Sequence, residues 1–446
     1  MAERGPPRGP AVRLLARVVD VRPEELRPML LSGTYFFLVL SSYYIIRPLR
    51  EEMGVAGGVA NLPWLFTGTL VTMLLVHTPF AALVARLPRR RFVALTYRFF
   101  FLNMLLFYAA FRFLPAAGGI WAGRVFFVWT SVFNLFVVSV FWAVMVDVFR
   151  SAQGARLFGL IAVGGTLGGI AGSAVTATLA RPLGPVQLLL LAAVLLELAV
   201  QAVLRLTRER PADLPRGVDP ERPIGGSALA GISHVLRSPY LLGICGYMLL
   251  FTLGSTVLYF HQARLAEVSF VDRATRTAFF ARIDLAVNVL TALTQAFLTG
   301  RIVRWLGIAV TLTVLPALTV VGFLSLGAVP VISLFVVFQV LRRAGEFAVA
   351  KPTREILYTV LSREDKYKAK NFIDTFVYRA GDQIAAWSYA SLTWMGLGMS
   401  AISFLIAPIA GVWLAIAFWL GRRHAQLERA EPGSGPLDAA LSGAAG

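Results

Sequence analysis

The sequence predicts an all-α polytopic membrane protein of about twelve transmembrane helices arranged as two six-helix bundles. Three observations lead there. The chain is 57% hydrophobic and only 15% charged, with mean hydropathy +0.70, whereas soluble domains carry about 25% charged residues. The charges sit in short islands between apolar runs of roughly twenty residues, the length that crosses a hydrocarbon core about 30 Å thick. One long polar segment, TRERPADLPRGVDPERPIGGS, divides those runs six and six. No other polar interval is long enough to bury a core of its own.

Residues 1–28 form a basic, cytoplasmic N-terminal segment. Its stretch AVRLLARVVDVRPEEL reads as a positive-inside anchor ahead of the first span, in preference to an amphipathic surface helix. It carries no small-residue cleavage site, so the first span is expected to be retained. The N-terminal bundle, 29–206, holds spans at 29–46, 62–86, 92–114, 119–147, 157–180 and 185–205. A cytoplasmic linker covers 207–238. The C-terminal bundle, 239–420, holds spans at 240–262, 276–299, 307–327, 329–350, 372–395 and 398–420, and 421–446 is a cytoplasmic tail without packed structure.

The +18 formal charge does not point to nucleic acid, because its placement follows the membrane. Of 42 Lys and Arg residues, 29 lie in the N-terminal segment, the even-to-odd loops and the tail, and 7 lie in the opposite loops. Positive charge marks the cytoplasmic side, so both termini and the linker are placed there, in a bacterial inner membrane. The halves echo each other: ARLPRRRFVALT after span 2 matches GRIVRWLGIAVT after span 8, and SSYYIIRPLREE after span 1 matches STVLYFHQARLAE after span 7. Parallel six-helix repeats with a cleft between them are what transporters use for alternating access.

Charge inside a span is costly and therefore informative. The spans carry Arg98, Arg124, Asp147, Glu197, Arg282, Asp284, Arg342, Arg343, Glu346, Asp374, Arg379 and Asp382. Asp147 is placed to pair with Arg150 or Arg156. Arg342 and Glu346, at i,i+4, are expected to neutralise each other on one helix face. Arg282 and Asp284 point apart, so each needs a partner elsewhere, while Arg379 and Asp382 share a face. Any single member of this set is more often structural; the set as a whole reads as a polar pathway.

Span 5 contains GLIAVGGTLGGIAGS, with Gly164, Gly168 and Gly172 recurring every four residues. No Gly-Lys-Ser/Thr follows it, so it is read as close helix packing and not as a phosphate loop. His77 and His261 are isolated and read as neutral, hydrogen-bonded side chains. Cys245 is the single cysteine, which excludes an intramolecular disulfide. No HExxH, GxSxG or catalytic carboxylate pair is present, so no enzyme and no cofactor is expected. All four lysines of the chain (Lys351, Lys366, Lys368, Lys370) fall within twenty residues around EDKYKAKNFIDTFVYRAGD, against 38 arginines elsewhere. Compact ammonium groups at the mouth of span 11 are suited to a phosphate or a moving carboxylate.

Four stretches together resemble the bacterial and plastid ATP/ADP antiporters, twelve-span relatives of the major facilitator superfamily. They are YYIIRPLREEMGV at 43–55, FWAVMVDVFRSAQGARLFGLIAVGGTLGGIAG at 141–172, KPTREILYTVL at 351–361 and KYKAKNFIDTFVYRAG at 366–381. The resemblance implies a major-facilitator-like fold exchanging nucleotides by alternating access, with spans 1, 4, 7 and 10 around the cleft. Arg47 and Arg50 match the family's basic pair after span 1, and Arg354 and Glu355 the basic-acid pair of the turn. Lys366, Lys368, Lys370, Asp374 and Arg379 match the segment entering span 11. Arg50, Arg354 and Asp382 stand where those carriers have lysine, and spans 4 and 7 lack their acidic residues.

The expected binding and gating set is Arg47, Arg50, Arg124, Arg342, Arg343, Glu346, Arg354, Lys368, Lys370, Asp374, Arg379 and Asp382, with Asp147 as a further counter-charge. The expected partners are a small anionic solute, a nucleotide among them, and membrane lipid, with the chain acting as a monomer. Two alternatives stay open. One is a proton-coupled facilitator driven through Glu346 or Asp382; the other is a membrane scaffold that keeps the fold without transport.

Overall fold

Polar residues at the ends of the apolar runs extend the helices, because a backbone N–H or C=O leaves a helix only where another partner replaces the intrahelical bond. In the computed structural model, which describes residues 22–86, 89–149, 151–208, 235, 238–361, 369–370 and 372–430, the first helix runs well past its apolar core. Helix α1, Pro23–Ala56, starts with proline in its first turn and with the Arg22 backbone N–H donating to Glu25 Oε2 at 3.1 Å. It ends only at Gly57 and Gly58, the latter at φ +89°, where glycine relieves the strain. Arg50, Glu51 and Glu52 are therefore helical residues and not loop residues.

A 3₁₀ turn, Val59–Asn61, leads into α2, Leu62–Arg86. Then come α3, Arg89–Phe113; α4, Ala116–Val148; α5, Ser151–Leu183; and α6, Leu188–Arg208. They are followed by α7, Pro239–Ser269; α8, Arg273–Phe297; α9, Thr299–Ala328; and α10, Ile332–Gly345. A short α11, Lys351–Ile356, precedes α12, Tyr378–Trp394, and α13, Met399–Ala430. No strand occurs among the described residues. Ten of the described helices are long and apolar enough to span a membrane.

The two further spans expected, 329–350 and 372–395, are present as broken helices. Span 10 is α10 continued by a π-helical turn, Glu346–Ala350, and span 11 opens with a second π turn, Ile373–Val377, ahead of α12. Each regular part is shorter than a full crossing. Pattern reading cannot see this, because a π turn inserts one residue without changing composition. The predicted start of span 9 coincides with a real break: Gly307 sits at φ +69° inside α9.

The chain divides into two compact units, 1–218 with 266–288, and 219–265 with 289–446. In the first unit α1 packs on α4, α5 and α6, and α3 packs on α6. The glycine stripe of α5 makes the α1 contact. A Cβ at Gly164, Gly168 or Gly172 would run into the backbone carbonyl of Gly33, Phe37 or Ser41, three α1 residues with the same spacing of four. This is the close packing that the sequence predicts. Around it lie the stacked rings of Phe36 and Phe141, 4.0 Å apart, and the Tyr35 and Tyr97 hydroxyls in a 2.5 Å hydrogen bond.

The second unit is built on α9 against α13, with Trp413 and Tyr247 fully buried beside each other. His261 is also fully buried, its ring nitrogens 3.2 Å from the Tyr389 hydroxyl and 3.2 Å from Ser403 Oγ. The expectation of a hydrogen-bonded histidine holds. The side chains of 77–90, which include His77, Arg89 and Arg90, lie outside the described residues, as do 1–21, most of the linker, Arg150, Lys366, Lys368 and 431–446, whereas 421–430 of the expected tail are helical and continue α13.

Candidate functional site

Within the first unit, the last turns of α1 carry a line of charge. Arg47 reaches Asp284 of α8 at 3.3 Å, and the Asp284 carboxylate is almost fully buried. Asp284 thus finds the distant partner its position required, while Arg282 two residues earlier is exposed. Arg50 pairs with Glu51 at 2.7 Å and lies 3.8 Å over the Phe127 ring, donating through Nε to the Phe127 carbonyl at 3.2 Å. Glu52 is completely buried and takes two arginines of α8, Arg273 Nε at 3.1 Å and Arg276 at 3.3 Å.

Sequence reasoning missed this triad of Glu52, Arg273 and Arg276. A signal was present: Arg273 and Arg276 belong to the few basic residues on the sparsely charged side of the membrane, where positive charge needs a local reason. Just before them Asp272 caps α8, accepting from Thr275 Oγ1 at 2.8 Å and from the Thr275 backbone N–H at 2.7 Å. Those two hydrogen bonds, the side-chain one first, hold its carboxyl below the ordinary range.

Arg124 of α4 stands apart from these pairs. It donates to the Gly57 carbonyl at 3.3 Å and lies 4.6 Å over Trp121. Asp147 has partners of its own, and Arg156 is bound to Glu25 at 2.9 Å.

In the second unit the two π turns gather the other residues. Arg342 is 2% exposed; its Nη2 donates to Ser255 Oγ at 2.8 Å and to the Phe251 carbonyl at 3.2 Å, and its Nε has no partner. No carboxylate lies within 4 Å of it among the described residues. The expected Arg342–Glu346 pairing therefore fails. Glu346 instead faces Arg354 at 3.6 Å, with its Oε2 unpartnered. The reason is local. The π turn Glu346–Ala350 follows the carboxylate and resets the register of α11, and so of Arg354, against it, while the Glu346 backbone N–H keeps its helical bond to the Arg342 carbonyl.

Arg354 and Glu355 are adjacent but serve different neighbours: Arg354 holds Glu346, and Glu355 holds Lys370. The short α11 thus ties the end of span 10 to the start of span 11. Burial works against the Arg354 charge, yet Glu346 keeps its pKa above the ordinary value. Lys370 also lies 5.8 Å over the Tyr358 ring. Asp374 is exposed on the second π turn. Arg379 meets Asp382 at 3.8 Å, as their spacing predicts, and Asp382 accepts from Thr256 at 3.0 Å. Arg343, half-buried beside Arg342, also has partners.

The structure therefore brings together Arg342, Glu346, Arg354, Glu355 and Lys370 around the first π turn and α11. It brings Arg47 and Asp284 together in the other unit and leaves Arg124 in a separate place. Among the described residues this is a set of ion pairs and two arginines, Arg124 and Arg342, with no carboxylate within 4 Å.

No family model matches the chain. Over 224 residues it is 25% identical to ADP,ATP carrier protein 2 of Chlamydia pneumoniae, a match covering 43% of this chain and 40% of that protein. The ADP,ATP carrier protein 2 of Chlamydia trachomatis matches at 25% over 228 residues with the same shares, so the match spans less than half the length of these curated relatives. Among solved structures, an auto-inhibited POT family peptide transporter aligns at TM-score 0.58 and 15% identity, over 92% of this chain and 98% of that one. A POT family transporter in complex with a thioalcohol-conjugated peptide gives 0.64 at 12%, over 89% and 96%. The nucleoside transporter NupG gives 0.54 at 13%, over 90% and 98%. At such identities the likeness shows the fold alone. The chain is an all-α multi-pass membrane protein of major-facilitator-like fold, and over 43% of its length it is 25% identical to the ADP,ATP carrier proteins.

Proposed function

We propose that the protein exchanges organic anions, nucleotides among them, across a bacterial inner membrane by alternating access. The observation that carries this reading is Arg342. A guanidinium only 2% exposed, hydrogen-bonded to a carbonyl and a hydroxyl and lying 5.3 Å over the Phe251 ring, has no carboxylate within 4 Å among the described residues. Such a group is costly inside a membrane, and its planar fork is suited to phosphate or carboxylate. Arg354, Lys370 and the α11 turn stand next in line for the same anion, with Glu346 and Glu355 as the carboxylates it would displace. Arg47–Asp284 and Arg379–Asp382 are the pairs that would break and re-form as access alternates. The distant relationship to the ADP,ATP carriers supports nucleotide cargo.

Purified protein in liposomes, loaded with unlabelled ATP or ADP and given labelled nucleotide outside, tests this. Uptake that requires internal nucleotide is the expected result. Arg342→Ala should lower it at least about tenfold, the effect of losing one charge-assisted hydrogen bond of about 1.5 kcal/mol. Arg304→Ala, an exposed control, should not. Exchange indifferent to Arg342 would sink the assignment.

One observation favours a second reading, proton-coupled transport. Glu346 Oε2 is buried without a hydrogen-bond partner, and such an atom is where a carried proton would sit. Uptake driven by an imposed pH gradient with empty liposomes, and lost in Glu346→Gln, would select it.

A further inference from the structure

A cavity of about 1190 Å³ in the first unit is walled by α2, α3 and α4. Its long walls are helical stripes, from Asn61 in the 3₁₀ turn through Trp64 to Val76 on α2 and from Trp121 to Phe136 on α4. Fifteen residues of helix cover about 22 Å, more than one leaflet's half of a hydrocarbon core about 30 Å thick. The cavity is not closed off from the bilayer. Trp64, Leu95, Phe99, Trp121 and Val125 line it and are each more than half exposed on membrane-spanning helices.

The two ends differ in chemistry. At the start of α2 and α4 sit Asn61 and Arg124, both donating to the Gly57 carbonyl, at 2.8 and 3.3 Å, with the indoles of Trp64 and Trp121 beside them. Indoles at that depth mark the headgroup boundary. Arg124 has no carboxylate within 4 Å among the described residues, its Nε is unpartnered, and Nη2 makes its one hydrogen bond. Beyond it the lining is aliphatic and aromatic apart from Thr72 and Thr96, through Val128 and Val132 to Phe136. The volume exceeds the roughly 300–1,000 Å³ usual for small-molecule pockets, and its form is that of an amphiphile: one cationic end, one long apolar body, a side open to lipid.

We propose that this cavity is a binding site for an anionic glycerophospholipid, with the phosphate at Arg124 and one acyl chain laid between α2, α3 and α4. Charge complementarity selects an anionic headgroup, because a choline headgroup would bring a second cation to Arg124. The site lies wholly within the first unit and takes Arg124 out of the expected cargo-binding set; it shares no residue with the exchange reading proposed above and stands or falls independently of it.

The test is native mass spectrometry of the delipidated protein titrated with phosphatidylglycerol or phosphatidylcholine of identical acyl chains. Wild type should bind phosphatidylglycerol about tenfold more tightly, and Arg124→Gln should reduce that preference to near unity. Val128→Trp, which fills the cavity, should weaken both lipids. Should Val128→Trp not fold, photo-crosslinking of wild type with a diazirine-bearing acyl chain takes its place, with labels expected on 61–76, 95–100 and 121–136. Equal affinity for the two lipids, a preference that survives Arg124→Gln, labels confined to other helices, or displacement of the lipid by ATP would each overturn the proposal.

Discussion

Glu52 has no solvent exposure and two guanidinium partners, so replacing it leaves two cations facing each other without a counter-charge. Glu52→Gln should destabilise the protein by about 3 kcal/mol, the low end for breaking a buried pair from one side, because Arg273 is half exposed. Arg273→Ala should cost clearly less, since Arg276 still neutralises the carboxylate. Thermal unfolding in detergent distinguishes the two, and equal losses would mean that Arg273 carries the pair. At the other cluster, Lys370→Ala should slow exchange more than Arg304→Ala, because Lys370 is bonded to Glu355 beside Arg354. Equal rates would reduce this lysine to a topology marker. Lysine suits that position physically, as a compact charge that can change partner more freely than a guanidinium fork.

Helix α5 meets α1 through backbone, so Gly168 cannot gain even a methyl group without pushing Phe37 away. Gly168→Ala should destabilise by about 1–3 kcal/mol, as overpacking does. Gly159→Ala, where a Cβ meets nothing within 4 Å, should be neutral or slightly stabilising through helix propensity. Unfolding titrations of the two variants read the difference. The cap of α8 makes a pH prediction. Asp272 has its pKa lowered by the Thr275 hydrogen bonds, so its contribution is present above the unfolded carboxylate pKa. It is lost as pH falls through the lower folded value. The protection of the Thr275 amide, taken relative to the intrinsic exchange rate at each pH, should therefore fall toward acid pH in wild type and be low at all pH in Asp272→Ala.

The glycine repeat was legible in the sequence because packing of this kind is periodic. The π turns at Glu346 and Ile373 were not, because they alter hydrogen-bond register without altering composition. The first of them sets the register of Arg354 against Glu346, and Glu346 pairs with Arg354 and not with Arg342. Nor could spacing join Arg47 to Asp284, or Glu52 to Arg273, since more than two hundred residues separate them.

At the scale of the whole molecule, the division into units does not follow the linker alone. Residues 266–288, the end of α7 and the first part of α8, belong with the N-terminal helices. The Glu52, Arg47 and Ser173 contacts to Arg273, Asp284 and Asn288 hold them there. Nucleotide exchange in liposomes should therefore respond to this hairpin: Asp284→Asn should change the exchange rate without preventing insertion. A folded, inserted variant with unaltered exchange would remove the Arg47–Asp284 pair from the cycle.

Hydropathy alone determined that this chain is helical and crosses the membrane many times. Those properties are local, set by the cost of exposing polar groups to hydrocarbon. Which arginine meets which carboxylate was decided only by the tertiary structure. A pair energy depends on distance and burial between residues far apart in sequence, and a helix register shifted by one residue is enough to reassign it.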